Sequence, residues 1–427
     1  MAYAFDASGL TYLPEAVAVP ANAAEIAAIL KLANEENFPV IPRGAGTATT
    51  GAPLAVAGGL VLSLLGLNRI LEINPDDLVA VVEPGVFNGT FKRELAERGL
   101  FYPPDPASYE FSTLGGNVAT CAGGPKGLKY GVTKDYVLGL EVVLPTGEIV
   151  FCGRRTMKGV VGYDLVSLIV GSEGTLGVIT KMVLKLLPKP PATASLAVYF
   201  ERITQAAEGF LALVKGGLLP AAAELLDAVT LQAVARFFPK DWPEKTGALL
   251  LLQFDGARSQ VKEDLKRASE ILEPYALRLT SATSPPDEER LWQARRNISP
   301  ALKKIAPGKI ADDVVLARSK VPHFLEEVKR LGDAAGLYVA CFGHLGDGNI
   351  HVNILFEPAQ REKAERLREE ILSLVLRLAG TVSGEHGIGL TKKGYLPKEL
   401  PPRVVSLMKD LKRVFDPKNI LNPGKIF

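Results

Sequence analysis

Apolar residues recur at helical spacing first between Asn22 and about Asn34, where Ile26, Ile29, Leu30 and Ala33 share one face. Asn22 and Glu25 stand in the capping-box relation that sets such a helix going. A short strand over Phe38–Pro42 then empties into Arg43-Gly-Ala-Gly-Thr-Ala-Thr-Thr-Gly51. Strand-like runs follow at Leu60–Leu64 and Leu78–Val82, with a helix near Asn88–Gly99. A glycine-dense stretch, Thr113–Gly131, precedes strands at Leu138–Leu144 and Glu148–Phe151, joined by the turn Pro145-Thr-Gly147. Val160–Val170 leads to a third glycine loop, Gly171–Gly177, and a strand over Val178–Leu187.

The texture changes at Pro188-Lys-Pro-Pro191, whose prolines end elements and stiffen the chain. Beyond it helices and strands alternate without comparable glycine loops. Helices are predicted over Ala206–Val214, Val261–Leu272 and Arg361–Ala379, and a strand over Leu249–Phe254. In the last helix Leu367, Ile371, Leu374, Val375 and Leu378 form the apolar stripe. Ile350–Phe356 alternates like a strand, with Ile350, Val352 and Ile354 on one face and His351 and Asn353 on the other.

Composition narrows the field of functions. At 427 residues and 47% apolar the chain is expected to form two or three domains with real cores. The formal charge of +2, with Lys and Arg scattered, argues against nucleic acid as a partner. Cys121, Cys152 and Cys341 form no Cys-x-x-Cys pair, which fits a reducing compartment. The start of the chain carries no basic, apolar signal pattern, and no apolar run approaches the ~20 residues of a spanning helix. A cytoplasmic protein is expected, peripheral to a membrane only through partners.

Three of the four histidines lie in two short segments, Gly343-His-Leu-Gly-Asp-Gly-Asn-Ile-His-Val-Asn353 and Ser383-Gly-Glu-His-Gly-Ile-Gly389. Gly346-Asp-Gly348 is turn chemistry, and folding back there brings His344 beside His351. With Glu385 they make a His-His-Glu set, three ligands with an open position, as catalytic zinc prefers, and His386 stands beside it as a base. A polar hairpin with a capping glutamate is the ordinary alternative, and His386 could serve as a further ligand. His323 reads as a structural histidine. The Arg43–Gly51 loop lacks the glycine spacing of a dinucleotide fingerprint and the Gly-Lys-Ser/Thr of a P-loop. Three small-residue loops in one stretch nevertheless suggest a large phosphate-bearing cofactor lying across several turns.

Seven landmarks in order carry a family resemblance. They are Pro42-Arg-Gly-Ala-Gly-Thr47, Pro103-Pro-Asp-Pro106, Gly115-Gly-Asn-Val-Ala-Thr120, Leu128-Lys-Tyr-Gly131, Gly162-Tyr-Asp-Leu165 with Gly171–Ile179, the two histidine segments, and Asp416–Lys425. From about Pro14 to Phe427 the chain resembles the flavin-linked oxidases and dehydrogenases of the vanillyl-alcohol oxidase class. Within that class it is most similar to the 2-hydroxy-acid branch: glycolate oxidase flavin subunit, D-lactate dehydrogenase and D-2-hydroxyglutarate dehydrogenase.

That resemblance implies an α+β protein, with an FAD-binding domain of the vanillyl-alcohol oxidase type over residues 1–188. A cap domain, an antiparallel sheet flanked by helices, would follow over 189–380, and 381–427 would pack back on the FAD domain. It implies FAD, noncovalent because no histidine precedes His323. Pro42, Arg43, Gly44, Ala45, Gly46, Thr47 and Gly51 would hold the pyrophosphate. Gly115, Gly116, Asn117, Gly124 and Gly131 would approach the flavin and ribityl chain, and Gly177, Val178 and Ile179 the adenine end. Asp105, Thr113 and Cys121 join the set, and Asn422 would return near the isoalloxazine. Cys121 stands where relatives usually carry asparagine, and Ala48-Thr-Thr50 replaces a more glycine-rich run.

The positions matching His344, His351 and Glu385 bind a divalent ion in metal-dependent relatives, often zinc. By the same resemblance His386 is the base, Arg295 binds the substrate carboxylate, Ser299 and Lys309 follow at the family's spacing, and Asn353 touches substrate or metal shell. The implied reaction is dehydrogenation of a small D-2-hydroxy acid, glycolate or D-lactate, with electrons passed to an acceptor protein or quinone, and sister oxidase subunits as further partners. The rivals are a flavin alkyl transferase like the alkyl-glycerone-phosphate synthases, a non-catalytic flavin subunit, and a flavin-free metal hydrolase.

Overall fold

The computed structural model describes residues 1–235 and 242–427. They form two compact units, one of Met1–Gly123, Gly131–Lys189 and Glu385–Phe427, the other of Gly124–Tyr130 and Pro190–Gly384.

In the first unit β1 (Ala16–Ala18), β2 (Val40–Arg43) and β3 (Leu60–Ser63) make a parallel sheet in the order β1-β3-β2. A second, antiparallel sheet contains β4 (Ile70–Asn74), β5 (Val79–Val82), β7 (Val137–Val143), β8 (Ile149–Gly153) and β9 (Val178–Lys185), in the order β4-β5-β9-β7-β8. The two-residue strands β6 (Leu100–Phe101) and β10 (Leu187–Pro188) pair separately, with Pro188 at the end of its strand.

The first helix, α1, spans Ala23–Glu36. Asn22 Oδ1 accepts the Glu25 amide at 2.9 Å, and Glu25 reaches back to the Ala21 amide at 2.8 Å. Asn37 ends the helix at φ 62°, a left-handed conformation that asparagine tolerates better than most residues. Its stripe of Ile26, Leu30 and Ala33 is buried against Val40, Leu62, Val143, Val178 and Leu421. Each fully buried Ile or Leu there contributes about 1.5–3 kcal/mol. Leu421 lies 381 residues from Val40 in sequence yet forms a bridge with it, and the Asn422 amide donates to the Val40 carbonyl at 2.9 Å. The last helix, Pro402–Phe415, is anchored through buried Lys412, which donates to the carbonyls of Thr175 and Leu421 at 2.8 and 2.9 Å and pairs with Asp416.

The second unit is built on one seven-stranded antiparallel sheet. Its strands are β11 (Ala192–Phe200), β12 (Ala222–Asp227), β13 (Ala248–Gly256), β14 (Arg278–Ala282), β15 (Gly308–Val315), β16 (Tyr338–His344) and β17 (Asn349–Phe356). The order is β14-β11-β13-β12-β16-β17-β15. One face carries Tyr199, Leu226, Leu251, Phe342 and Leu355, packed against Leu231, Leu291, Ile298 and Leu302 from three short helices.

The glycine-dense stretch Thr113–Gly131 is not all of one piece. Gly124–Tyr130 packs with the second unit, where its helical turn Gly127–Tyr130 is pinned to buried Asp255. Tyr130 Oη donates to that carboxylate at 2.7 Å, and Lys129 forms an ion pair with it. A buried carboxylate needs such partners, and this need decides where the segment goes.

Candidate functional site

The hairpin β16–β17 closes over Leu345–Gly348, with Gly348 at φ 85°. His344 pairs in register with Asn349 and His351 with Phe342, so the two histidines are diagonal neighbours on one face. Their rings meet edge-on with centroids 5.2 Å apart. Asn353, two residues along, points the same way. It is 2% exposed, and its Nδ2 has no hydrogen-bond partner among the described residues. Buried amide donors without partners are rare, and this one stands beside two histidines where a ligand could accept from it.

His344 is oriented by a residue that sequence reading missed. Glu224 on β12 lies opposite His344 in register and is wholly buried. Its Oε1 meets Nδ1 of His344, and its Oε2 meets Nε of Arg295. Burial raises the Glu224 carboxyl, but the Arg295 guanidinium and the His344 imidazole outweigh it and hold the group below its usual value. Arg295 is itself buried, with its guanidinium 4.9 Å from the Phe342 ring centre, so it is not a solvated helix charge. Lys309, on β15, donates to Ser299 Oγ at 2.8 Å, and burial lowers its pKa to about 8.

Asp313 lies opposite His351 on the other side of β17. It receives the Gly384 amide at its side chain, 2.9 Å away, which pins the residue immediately before Glu385. Adjacent residues on a strand would diverge, but Glu385 and His386 sit in a bend, with Gly387 at φ 77°. Oε1 of Glu385 lies 3.8 Å from Nε2 of His386. The same loop is held in the first unit by Glu173, which accepts the Ile388 and Gly389 amides at 2.7 and 2.9 Å. Burial pushes the Glu173 carboxyl up to about 7 against the pull of those two donors. Two imidazoles and a carboxylate are a donor set that suits zinc, and an imidazole whose Nδ1 is held by a carboxylate is the form that metal ligands take.

In the first unit the glycine loops approach one another through missing side chains. A Cβ on Gly44 would come 2.4 Å from Thr113 Oγ1, and one on Gly115 would come 2.4 Å from the Pro84 ring. Gly51, at φ 78°, gives its amide to Asp6 at 3.0 Å. Thr113 caps the helix Leu114–Thr120. Beside it Asn117 is buried, and its Nδ2 has no partner among the described residues. Bare backbone in close approach, with a buried unpartnered amide on the adjoining helix, fits a large cofactor that approaches the chain closely.

Other residues of the expected set are engaged within the protein. Arg43 is buried and donates to the carbonyls of Phe5 and Pro53 at 2.7 and 3.5 Å, which makes it a brace beneath the loop. Asn422 donates to the carbonyls of Ala52 and Glu173 at 3.0 and 2.7 Å, and its Oδ1 accepts from Lys425. Val178 and Ile179 are buried strand residues paired with Val143 and Val142. Cys121 adopts φ 52° as the helix C-cap, and burial raises its thiol above the usual value. No described helix is long and apolar enough to cross a membrane.

Residues 14–153 match the FAD binding domain family, and residues 189–426 match the family of FAD linked oxidases, C-terminal domain. The chain is 38% identical to the glycolate oxidase subunit GlcD of Bacillus subtilis, covering 100% of this chain and 92% of that one. It is 36% identical to a D-lactate dehydrogenase of Anaerostipes hadrus, over 97% of this chain and 89% of that one. Among solved structures, p-cresol methylhydroxylase with substrate bound shares the fold at a TM-score of 0.77 and 19% identity, covering 99% and 91% of the two chains. Alkyldihydroxyacetonephosphate synthase does so at 0.75 and 20%, covering 95% and 75%. With both halves matched and full-length relatives at this identity, the chain belongs to the FAD-linked oxidase family and is an FAD-dependent enzyme.

Proposed function

We propose that the protein oxidises a small D-2-hydroxy acid, glycolate or D-lactate, to the 2-oxo acid, with a divalent metal, zinc by preference, held by His344, His351 and Glu385. The observation that carries the reading is the polar patch of one sheet face on which His344, His351 and the unpartnered Asn353 amide stand together. The names of the relatives, a glycolate oxidase subunit and D-lactate dehydrogenases, supply the substrate class.

The first unit binds FAD through the Arg43–Gly51 loop, the Asp105 segment, Thr113–Asn117, Gly131 and Gly177, with backbone as the main contact. Arg295 recognises the substrate carboxylate with the Nη groups beyond its Glu224-bound Nε, and Ser299 and Lys309 assist. Asn353 donates to the bound acid. His386 takes the hydroxyl proton, since imidazole titrates near neutrality. Bound FAD supplies the two-electron acceptor for the hydrogen lost from the α-carbon. A divalent ion at these ligands supplies Lewis acidity that favours loss of the hydroxyl proton. Electrons pass onward to an acceptor protein or quinone, in the cytoplasm or at a membrane reached through sister subunits.

Anaerobic addition of glycolate or D-lactate to the FAD- and zinc-loaded protein is expected to bleach the flavin absorbance. A panel of D- and L-2-hydroxy acids that all leave the band unchanged would overturn the proposal.

A further inference from the structure

We infer that Glu224 is a positioning residue that fixes the proton of His344 on Nδ1, turns its Nε2 lone pair to a divalent ion, and ties Arg295 to the same point. The inference rests on the metal reading above and adds a residue to it.

The geometry is that of one carboxylate with two different neighbours. Oε1 faces the His344 ring and Oε2 faces the Arg295 guanidinium, and the whole side chain is shut off from water. A guanidinium keeps its protons at any pH the protein meets, so the oxygen toward Arg295 is an acceptor. A carboxylate paired in this way has no proton to offer the imidazole, and Nδ1 of His344 must be the donor. A neutral imidazole with its proton on Nδ1 has its lone pair on Nε2. Strand register makes the arrangement rigid, because Glu224 and His344 are direct cross-strand partners on β12 and β16. Arg295 arrives from the helix Pro285–Arg296, so the carboxylate also sets the distance between the carboxylate-binding arginine and the histidine.

The amide of Glu224→Gln gives a specific expectation. Arg295 can only donate, so it takes the amide oxygen and leaves the NH2 group facing His344. Nδ1 then becomes an acceptor and the proton moves to Nε2, the atom meant for the ion. A structural loss of packing would not invert a tautomer.

The test uses the full-length, FAD-loaded protein labelled with 15N-histidine, where the four histidines make a countable spectrum. His344 is identified by its loss in His344→Asn. After chelation, long-range 15N–1H correlations are expected to show the Nδ1–H form of His344 in the parent and the Nε2–H form in Glu224→Gln. Zn2+ affinity, read by competition with a chromophoric chelator, is expected to fall by roughly 10–100-fold in the variant, with FAD content unchanged. A parent whose His344 carries its proton on Nε2 overturns the inference, and that measurement needs no variant to fold. So does a Glu224→Gln protein that binds Zn2+ as tightly as the parent. A parent with the Nδ1–H form that takes up no divalent ion upholds the pairing and overturns the metal reading instead.

Discussion

The two units place functional groups by opposite means. In the first, the candidate cofactor contacts sit on loops, and the tools are absent side chains: Gly44 against Thr113, Gly115 against Pro84, and Gly46 and Gly51 at positive φ. In the second, the histidines and their carboxylate partners sit on strands, and the tool is register: Glu224 opposite His344, Asp313 opposite His351. The difference follows from the partners. A large phosphate-bearing cofactor is met by backbone amides over a long path, which requires close approach. A small acid and a metal ion are met by a few side chains whose directions must be held to a fraction of an ångström, which rigid strands provide.

The sharpest way to break this comparison is to remove a side chain from the strand set. His351→Ala is expected to lower substrate-driven flavin reduction by roughly three orders of magnitude or more while the flavin spectrum stays at full intensity. Rapid-mixing absorbance reads both quantities, and parent-like reduction would end the role given to the hairpin. A smaller effect should come from Arg295→Met, which leaves Glu224 buried without its cation. Thermal or denaturant unfolding is expected to show a loss of about 3–5 kcal/mol, and an unchanged midpoint would mean that the pair is not the buried link described above. The smallest belongs to the loop set. Gly46→Ala puts a Cβ at φ 74° within 2.1 Å of Arg43 Nη2 and is expected to cost about 1–2 kcal/mol. Its signature should be reduced FAD content, with normal flavin reduction in the fraction that keeps FAD. Full FAD occupancy would count against the backbone account.

Local signals were legible where a few neighbouring residues settle the structure. The α1 start at Asn22, the Gly346-Asp-Gly348 turn and the alternation of Ile350–Phe356 needed nothing distant. β12 was not legible. Ala222-Ala-Glu-Leu-Leu-Asp227 has helix-forming composition, and only pairing with β13 and β16 makes it a strand. Glu224 was therefore invisible as a site residue, since nothing near it in sequence hints at His344, 120 positions away. Arg43 and Asn422 show a second thing that motifs leave open. Both stand in motifs, and motif membership suggests contact with a ligand. Their side chains also brace the protein itself, Arg43 at the carbonyls of Phe5 and Pro53 and Asn422 at those of Ala52 and Glu173, which no motif reveals.

By itself the sequence determined the strongly patterned elements such as α1 and β17, the change of texture near Pro188, the glycine loops and the residue types gathered in the histidine segments. These depend on periodicity, turn chemistry and motif order, all carried by residues close together in the chain. Tertiary structure alone decided which nitrogen of His344 is engaged, what Arg295 leans on, and that Gly124–Tyr130 belongs with the second unit. Those outcomes depend on how buried charges find partners 71 to 126 residues apart in the chain, and no local pattern encodes that choice.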